Sequence, residues 1–201
     1  MKRLVMLSLA SYLPLCAAEA RITPEERTKV LGWLEESRQE FLAAIDGLSE
    51  EQWKWKPAPN RWSVAETAEH VVLAEASLFG HVQKAISSPA NPAWEVKTKG
   101  KTELIEFVMA PRLGRAQAPE YLEPKSGMTP AQVKERFEKQ RTDIVRFATE
   151  TQVSLKQYTD EHPFPTFGTL NAYQWLIYAP LHTMRHDKQI AEVKATAGYP
   201  K

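Results

Sequence analysis

The chain of 201 residues has one cysteine, Cys16, and it falls within the first twenty. A disulfide framework is excluded, and beyond that stretch so are a thiolate metal ligand and a thiol nucleophile. Any metal bound by the rest of the chain must be held by His, Asp or Glu. Net charge is almost lacking as well. Without the first twenty residues, which hold Lys2, Arg3 and Glu19, 24 basic and 24 acidic side chains remain. That balance gives no electrostatic footprint for nucleic acid or for a membrane surface. Long apolar runs are missing after the start, where nothing approaches the ~20 residues of a membrane helix. No segment alternates apolar and polar residues in the manner of a strand. What remains, 43% hydrophobic and 25% charged, is enough to bury one sizeable core, so one domain is expected.

The first twenty residues stand apart from that domain. "MKRLVMLSLASYLPLCAAEA" opens with two basic residues, runs apolar from Leu4 to Leu15 and places small residues at Ala18 and Ala20. This is the pattern of a secretory signal. The division is then residues 1–20 as signal peptide and 21–201 as the mature domain, exported to the periplasm or secreted. "LPLC" lacks the small residue that a lipoprotein signal places before its cysteine, which favours release over lipid anchoring and no membrane attachment after cleavage.

Helix starts are marked by four capping boxes. Thr23–Glu26 and Thr129–Gln132 combine a hydroxyl N-cap, proline at the first helical position and an acid or amide at the third. Ser63–Glu66 and Asn171–Gln174 repeat the box. Apolar residues at spacings of three, four and seven follow each start: Val30, Leu34, Phe41 and Ile45; Val64, Ala68, Val71, Leu78 and Val82; Val133, Phe137, Ile144 and Phe147. The predicted long helices run from about Pro24 to Asp46, Val64 to Ser87, Pro130 to Thr151 and Ala172 to Thr196. An all-α four-helix bundle follows. The connection of residues 88–128 is long for a bundle. Its "KTELIEFVMAP" predicts a short helix ended by Pro111, and the remainder, carrying Arg112 and Arg115, is expected to lie over the bundle as an ordered cover.

Five histidines are present, and two of them, His182 and His186, sit four apart on the stripe of Trp175, Ala179, Gln189 and Val193. Their Cβ atoms are then ~6 Å apart, close enough for both imidazoles to reach one ion at ~2.0–2.1 Å. Two buried, hydrogen-bonded core histidines would carry the same spacing, so a third ligand decides the matter. His70, two turns into the second long helix, is the candidate. His81, eleven residues later, lies ~16 Å further along the axis and cannot share the ion, and His162, in "DEHPFPTFG", reads as a loop-packing residue. Glu66 could act as a base or fourth ligand, although its capping position gives it a structural task. Arg185 could meet an anionic substrate, and Gln189 could hydrogen-bond a ligating imidazole. Trp62 and Trp175 read as core and wall. Pro180 removes a hydrogen bond to the Leu176 carbonyl and is expected to bend the last helix just before the pair.

"NRWSVAETAEH" (Asn60–His70) together with "YAPLHTMRHDKQI" (Tyr178–Ile190) resembles the DinB-like superfamily of metal-dependent enzymes, and "LSEEQWKWKPAPNRWS" and "APEYLEP" extend the resemblance over most of the mature chain. It implies an up-down-down-up bundle with a divalent metal, zinc first with nickel or iron as alternatives, on His70, His182 and His186. Three neutral imidazoles leave coordination positions open, as in a catalytic site, where a bound water's pKa falls toward ~7. The resemblance thus points to a metal-dependent hydrolase or transferase that activates water or a thiol on a small-molecule substrate. Family members that use low-molecular-weight thiols work in the cytosol, and the signal segment shifts the balance here toward water. The different class that the sequence leaves open is a non-catalytic bundle, a carrier or sensor of metal or small ligand. A homodimer is left open too.

Overall fold

The computed structural model describes residues 20–109, 111–112 and 116–201. Apart from Ala20, the segment expected to be a signal peptide lies outside the described residues, as does Arg115. The elements are α1 (Pro24–Ile45), α2 (Glu50–Lys54), α3 (Val64–Ile86), α4 (Trp94–Thr98), α5 (Lys101–Met109), a 3-10 turn (Glu120–Leu122), α6 (Pro130–Glu150), a second 3-10 turn (Leu155–Gln157), β1 (Thr159–Glu161), β2 (Thr169–Asn171) and α7 (Ala172–Ala195).

All four predicted capping boxes form, each with reciprocal bonds between N-cap and third residue. A fifth, Ser49–Gln52, starts the short α2. One expectation is corrected. Residues 159–161 and 169–171 pair as a small antiparallel hairpin, Thr159 opposite Asn171 and Glu161 opposite Thr169. Three residues per strand are too few for alternation to register as a pattern, and backbone pairing with each other settles their hydrogen bonds. The short helix of the connection is present as α5.

The long helices pack in the order α1, α7, α3, α6 around the bundle. Their directions can be read from residue pairs. The Lys194 ammonium near the end of α7 bonds the Ala44 carbonyl near the end of α1, so those two are parallel. Arg27 at the start of α1 bonds Thr149 and Thr151 carbonyls at the end of α6, which makes α6 antiparallel to α1. Late α3 meets early α7 where His81 stacks on Trp175, so α3 runs against α7. The result is up-down-down-up. α7 runs unbroken through Pro180.

Two apolar clusters fill the bundle. Val30, Leu34, Leu78, Val82, Ile144 and Leu181 belong to one, and Phe41, Ile45, Val71, Phe137, Ile190 and Val193 to the other. Among them sits a polar layer with one residue from each long helix: Ser37, Glu75, Arg141 and Thr183, all within 1% of full burial. Arg141 ion-pairs Glu75 through both ends of its fork, with Nε 3.3 Å from Oε2. It also donates to the Leu34 carbonyl and, at 2.6 Å, to Ser37 Oγ. The Thr183 hydroxyl donates to Glu75 Oε1 at 3.1 Å.

Breaking this pair strands a buried charge, which costs about 3–5 kcal/mol, whereas exchanging both partners for apolar side chains is often neutral. Glu75→Gln is therefore expected to lose about 3–5 kcal/mol in urea unfolding, and Glu75→Leu combined with Arg141→Met to recover most of it. A Glu75→Gln midpoint equal to wild type would show that the pair does not hold the bundle.

Candidate metal centre

His70 enters from α3, and His182 and His186 from α7, where the antiparallel register sets them face to face. Ring centroids are 5.2 Å apart for His70 and His182, 4.6 Å for His70 and His186, and 4.4 Å for the α7 pair. The two α7 rings bring Nε2 to within 3.2 Å of Nε2. One ring nitrogen from each of the three lies within 4.8 Å of the others. Nitrogens at ~2.1 Å from a shared tetrahedral ion would be about 3.4 Å apart, so the α7 pair is already at that spacing.

The tautomers are set by what surrounds the rings. His70 Nδ1 lies 2.8 Å from the Leu122 carbonyl oxygen, which only accepts, so Nδ1 carries the hydrogen and Nε2 keeps its lone pair. For His186 the assignment runs through two residues. Arg112 Nη1 donates to Gln189 Oε1 at 2.9 Å, and the guanidinium cannot accept, so the oxygen of Gln189 must face this way. The same oxygen is 3.0 Å from His186 Nδ1, which therefore donates and leaves Nε2 toward the other imidazoles. Arg112 adopts the left-handed φ of 57°, uncommon for a side chain of its size. Glu192 holds it there by a two-pronged ion pair at 2.7 and 2.9 Å.

Burial pushes the pKa of all three imidazoles down, His182 and His186 well below the ordinary 6.5, helped by the neighbouring rings and by Arg185 and Arg112. They are neutral at pH 7 with ring nitrogens converging, the state a metal ligand requires. The donor set fits a divalent ion. The three histidines could hold a metal.

Glu69, one residue before His70, is the largest feature that sequence reasoning missed. Its buried carboxylate accepts the backbone N–H groups of Lys125, Ser126, Gly127 and Met128 at 2.8, 2.7, 2.9 and 3.3 Å. Burial would raise its pKa, yet those amides outweigh it and hold the group below the ordinary carboxylate range. Adjacent residues of α3 thus grip the connection twice, Glu69 at 125–128 and His70 at Leu122. Because its partners are backbone amides, its position beside His70 was the one trace of it in the sequence.

The remaining candidates fall into place around the site. Glu66 spends one oxygen on the Ser63 backbone N–H and the other on Lys56, both at 2.8 Å, and is not among the converging ligands. Arg185 is buried at the cavity wall and donates to the Val108 carbonyl at 3.3 Å. Trp62 packs on His70 at 4.9 Å. His81 lies away from the triad, 2.6 Å from Asp160 on β1 and stacked on Trp175 at 4.1 Å. His162 is also set against Trp175, at 5.0 Å.

All of these except Glu66 and Asp160 line one cavity of about 660 Å³, covered by residues 116–119 and 121–123 of the connection and by 162–167 of the hairpin loop. Among the described residues no helix is long and apolar enough to cross a membrane.

Comparison with known proteins agrees with the fold. The family model of the DinB superfamily matches residues 34–190. "Uncharacterized protein YuaE" of Bacillus subtilis (strain 168) is 27% identical over 162 residues, covering 79% of this chain and 93% of YuaE. Among solved structures, YfiT from Bacillus subtilis superposes with a TM-score of 0.55 at 14% identity, covering 96% of this chain and 97% of YfiT. YfiT is described as a probable metal-dependent hydrolase with an unusual four-helix bundle topology, and at that identity the likeness carries the fold alone.

Two outcomes follow from the site's surroundings. Removing the group that orients a ligating imidazole weakens metal binding roughly 10–100-fold, so Gln189→Leu is expected to do so in a competitive chelator titration with the helical content unchanged. Burial lowers the pKa of His162 from 6.5 to about 4. The unfolded chain therefore takes up this proton first as the pH falls, and stability is lost between about 6.5 and 4. Urea midpoints at pH 7 and pH 4.5 should differ less for His162→Gln than for wild type.

Proposed function

This chain belongs to the DinB superfamily, and from that premise we propose that it is an exported metal-dependent hydrolase acting on a small molecule in the cavity above His70, His182 and His186. The observation that carries the reading is the convergence of three neutral imidazoles, two of them oriented by hydrogen bonds from outside the triad, at the wall of a cavity large enough for a substrate. A structural ion would be sealed on all sides. Here the ligand nitrogens border open volume, which supports turnover over storage.

His70, His182 and His186 would hold a divalent ion such as zinc, which would supply Lewis-acid polarisation and activation of a nucleophile. The chain's own residues do the rest. His70 and His186 are locked as acceptors at Nε2 by the Leu122 carbonyl and by Gln189. The Arg185 guanidinium beside them offers positive charge to an anionic or oxygen-rich group of the substrate. The connection, anchored through Glu69, covers the cavity with residues 116–119 and 121–123. Water is the nucleophile in this reading because the signal segment removes the protein from the cytosol and its thiols, and the description of YfiT as a probable metal-dependent hydrolase agrees with it.

Metal that binds only the folded chain stabilises it by about 4 kcal/mol when free metal is a thousandfold above Kd. Chelation is expected to lower Tm by several degrees while leaving the bundle helical, since its packed apolar faces supply most of the stability. His182→Ala and His186→Ala should each abolish that response. His81→Ala should keep it, at a lower starting Tm because the tie to Asp160 is gone. Elemental analysis of the purified mature protein, with an ester and amide substrate panel run before and after chelation, tests turnover. Identical melting of wild type and His182→Ala under metal-replete and chelated conditions would return the histidines to the status of core polar residues.

A further inference from the structure

The cavity has a second polar end. Along α3, His70 and His81 are eleven residues apart, about 16 Å at 1.5 Å per residue, and both line the same volume. Between them the wall is a row of rings, His182 at 6.0 Å from Tyr178, Tyr178 at 6.1 Å from Trp175, and Trp175 at 4.1 Å from His81. At this far end each of two histidines has turned one nitrogen to the protein. His81 Nδ1 is held by Asp160 Oδ2 at 2.6 Å. His162 Nδ1 accepts the Phe164 backbone N–H at 2.9 Å, which fixes its hydrogen on Nε2. Both rings lie almost parallel to the Trp175 indole, at 8° and 13°. The indole itself is 1% exposed and its N–H has no acceptor, although a buried tryptophan N–H ordinarily finds one.

We propose that this end of the cavity is a recognition subsite for a carboxyl group, met by His162 Nε2–H and His81 Nε2 over the Trp175 ring, and that the protein's substrate is an elongated molecule carrying that group at the end opposite its reacting bond. The inference rests on the reading of the triad as the reacting end, but the subsite itself needs no metal. Lys84 does not add a free charge, because it is spent on Asp160 at 2.6 Å. With those two charges offset, the end offers ring nitrogens and no surplus of cations, which suits a carboxyl group and not a doubly charged phosphate. The rings of Tyr178, Phe164 and Phe167 supply the apolar wall against which an aliphatic or aromatic spacer would lie.

The test uses metal-free protein in both wild-type and His186→Ala forms, with decanoate, decanol and decyl phosphate as probes. Binding is read by calorimetry and by the assigned Trp175 indole N–H resonance. Decanoate is expected to shift that resonance and to bind at least ~10-fold tighter than decanol, the value of one charge-assisted hydrogen bond. His162→Gln and His81→Asn should each weaken decanoate ~10-fold, with circular dichroism confirming the fold, and His186→Ala should leave it within ~2-fold. On metal-loaded enzyme, a carboxylate-tailed ester should then show a lower KM than its methyl-ended analogue, and His162→Gln should erase that difference. Equal affinity for decanoate and decanol, tighter binding of decyl phosphate, or indifference to both histidine variants would each overturn the carboxyl subsite. Loss of chelator response with decanoate binding intact would instead remove the metal reading and leave the subsite standing.

Discussion

The ion pair between Arg141 and Glu75 is the constraint that sets the rest of the molecule in place. It lies where all four long helices approach, and each of them contributes a polar atom to it: the Leu34 carbonyl and Ser37 from α1, Glu75 from α3, Arg141 from α6 and Thr183 from α7. Apolar stripes alone would let such helices slide by a turn at modest cost, because leucine against valine is nearly as good one turn away. A fully buried arginine tolerates no such slip, since any displacement leaves a charge or a carbonyl unsatisfied in a low-dielectric interior. The layer therefore acts as a registration pin among the apolar clusters.

That registration is what builds the histidine site. Glu75 is five residues beyond His70 on α3, and Thr183 is next to His182 on α7, so the bond from Thr183 to Glu75 fixes the axial offset of the same two helices that must bring their imidazoles together. The offset is consistent along the pair, for it also sets His81 against Trp175 at the far end. Rotation about the helix axes is settled separately, by Glu69 and His70 gripping the connection and by Gln189 meeting Arg112. Three nitrogens from two helices converge because independent bonds remove sliding and rolling in turn.

Much of this was legible before the structure, and the reasons for the rest are physical. Helix starts were readable because capping is local, and all four boxes hold. The triad was readable because the spacing of His182 and His186 is itself a geometric statement, and the paired motifs brought in His70. The polar layer was missed although its positions were on the page. Ser37 lies between Leu34 and Phe41, Glu75 between Val71 and Leu78, and Arg141 between Phe137 and Ile144, each in step with its buried stripe. Charge at a core position is one half of a pair to be found, and its other half, on another helix, leaves no trace in the local spacing. Phe147 shows the complementary error: the stripe of α6 continues through Ala148, and Phe147 is left only partly buried at the edge of the cluster. Glu69 escaped for a different reason, since its partners are backbone amides, which no side-chain pattern announces.

The energetics explain why so many polar groups can sit inside one small bundle. Burying three neutral imidazoles, with the Nε2 atoms of His182 and His186 3.2 Å apart, costs free energy that a purely apolar seam would not, and the same burial disfavours the imidazolium, which depresses the pKa of each ring. The Asp187 carboxyl, next to His186 in the chain and buried with neither oxygen hydrogen-bonded, adds to the cost; burial, with Glu40 and Glu75 nearby, raises its pKa to about 8. Such departures from local consistency are expected where a site must be held ready and not merely packed. The bundle absorbs them because large apolar residues pack on either side of the polar layer, Leu34, Ile144 and Leu181 in one cluster and Phe41, Phe137 and Ile190 in the other. Stability is thus supplied by residues that make no contact with a ligand, which leaves α3 and α7 free to spend their facing sides on the cavity.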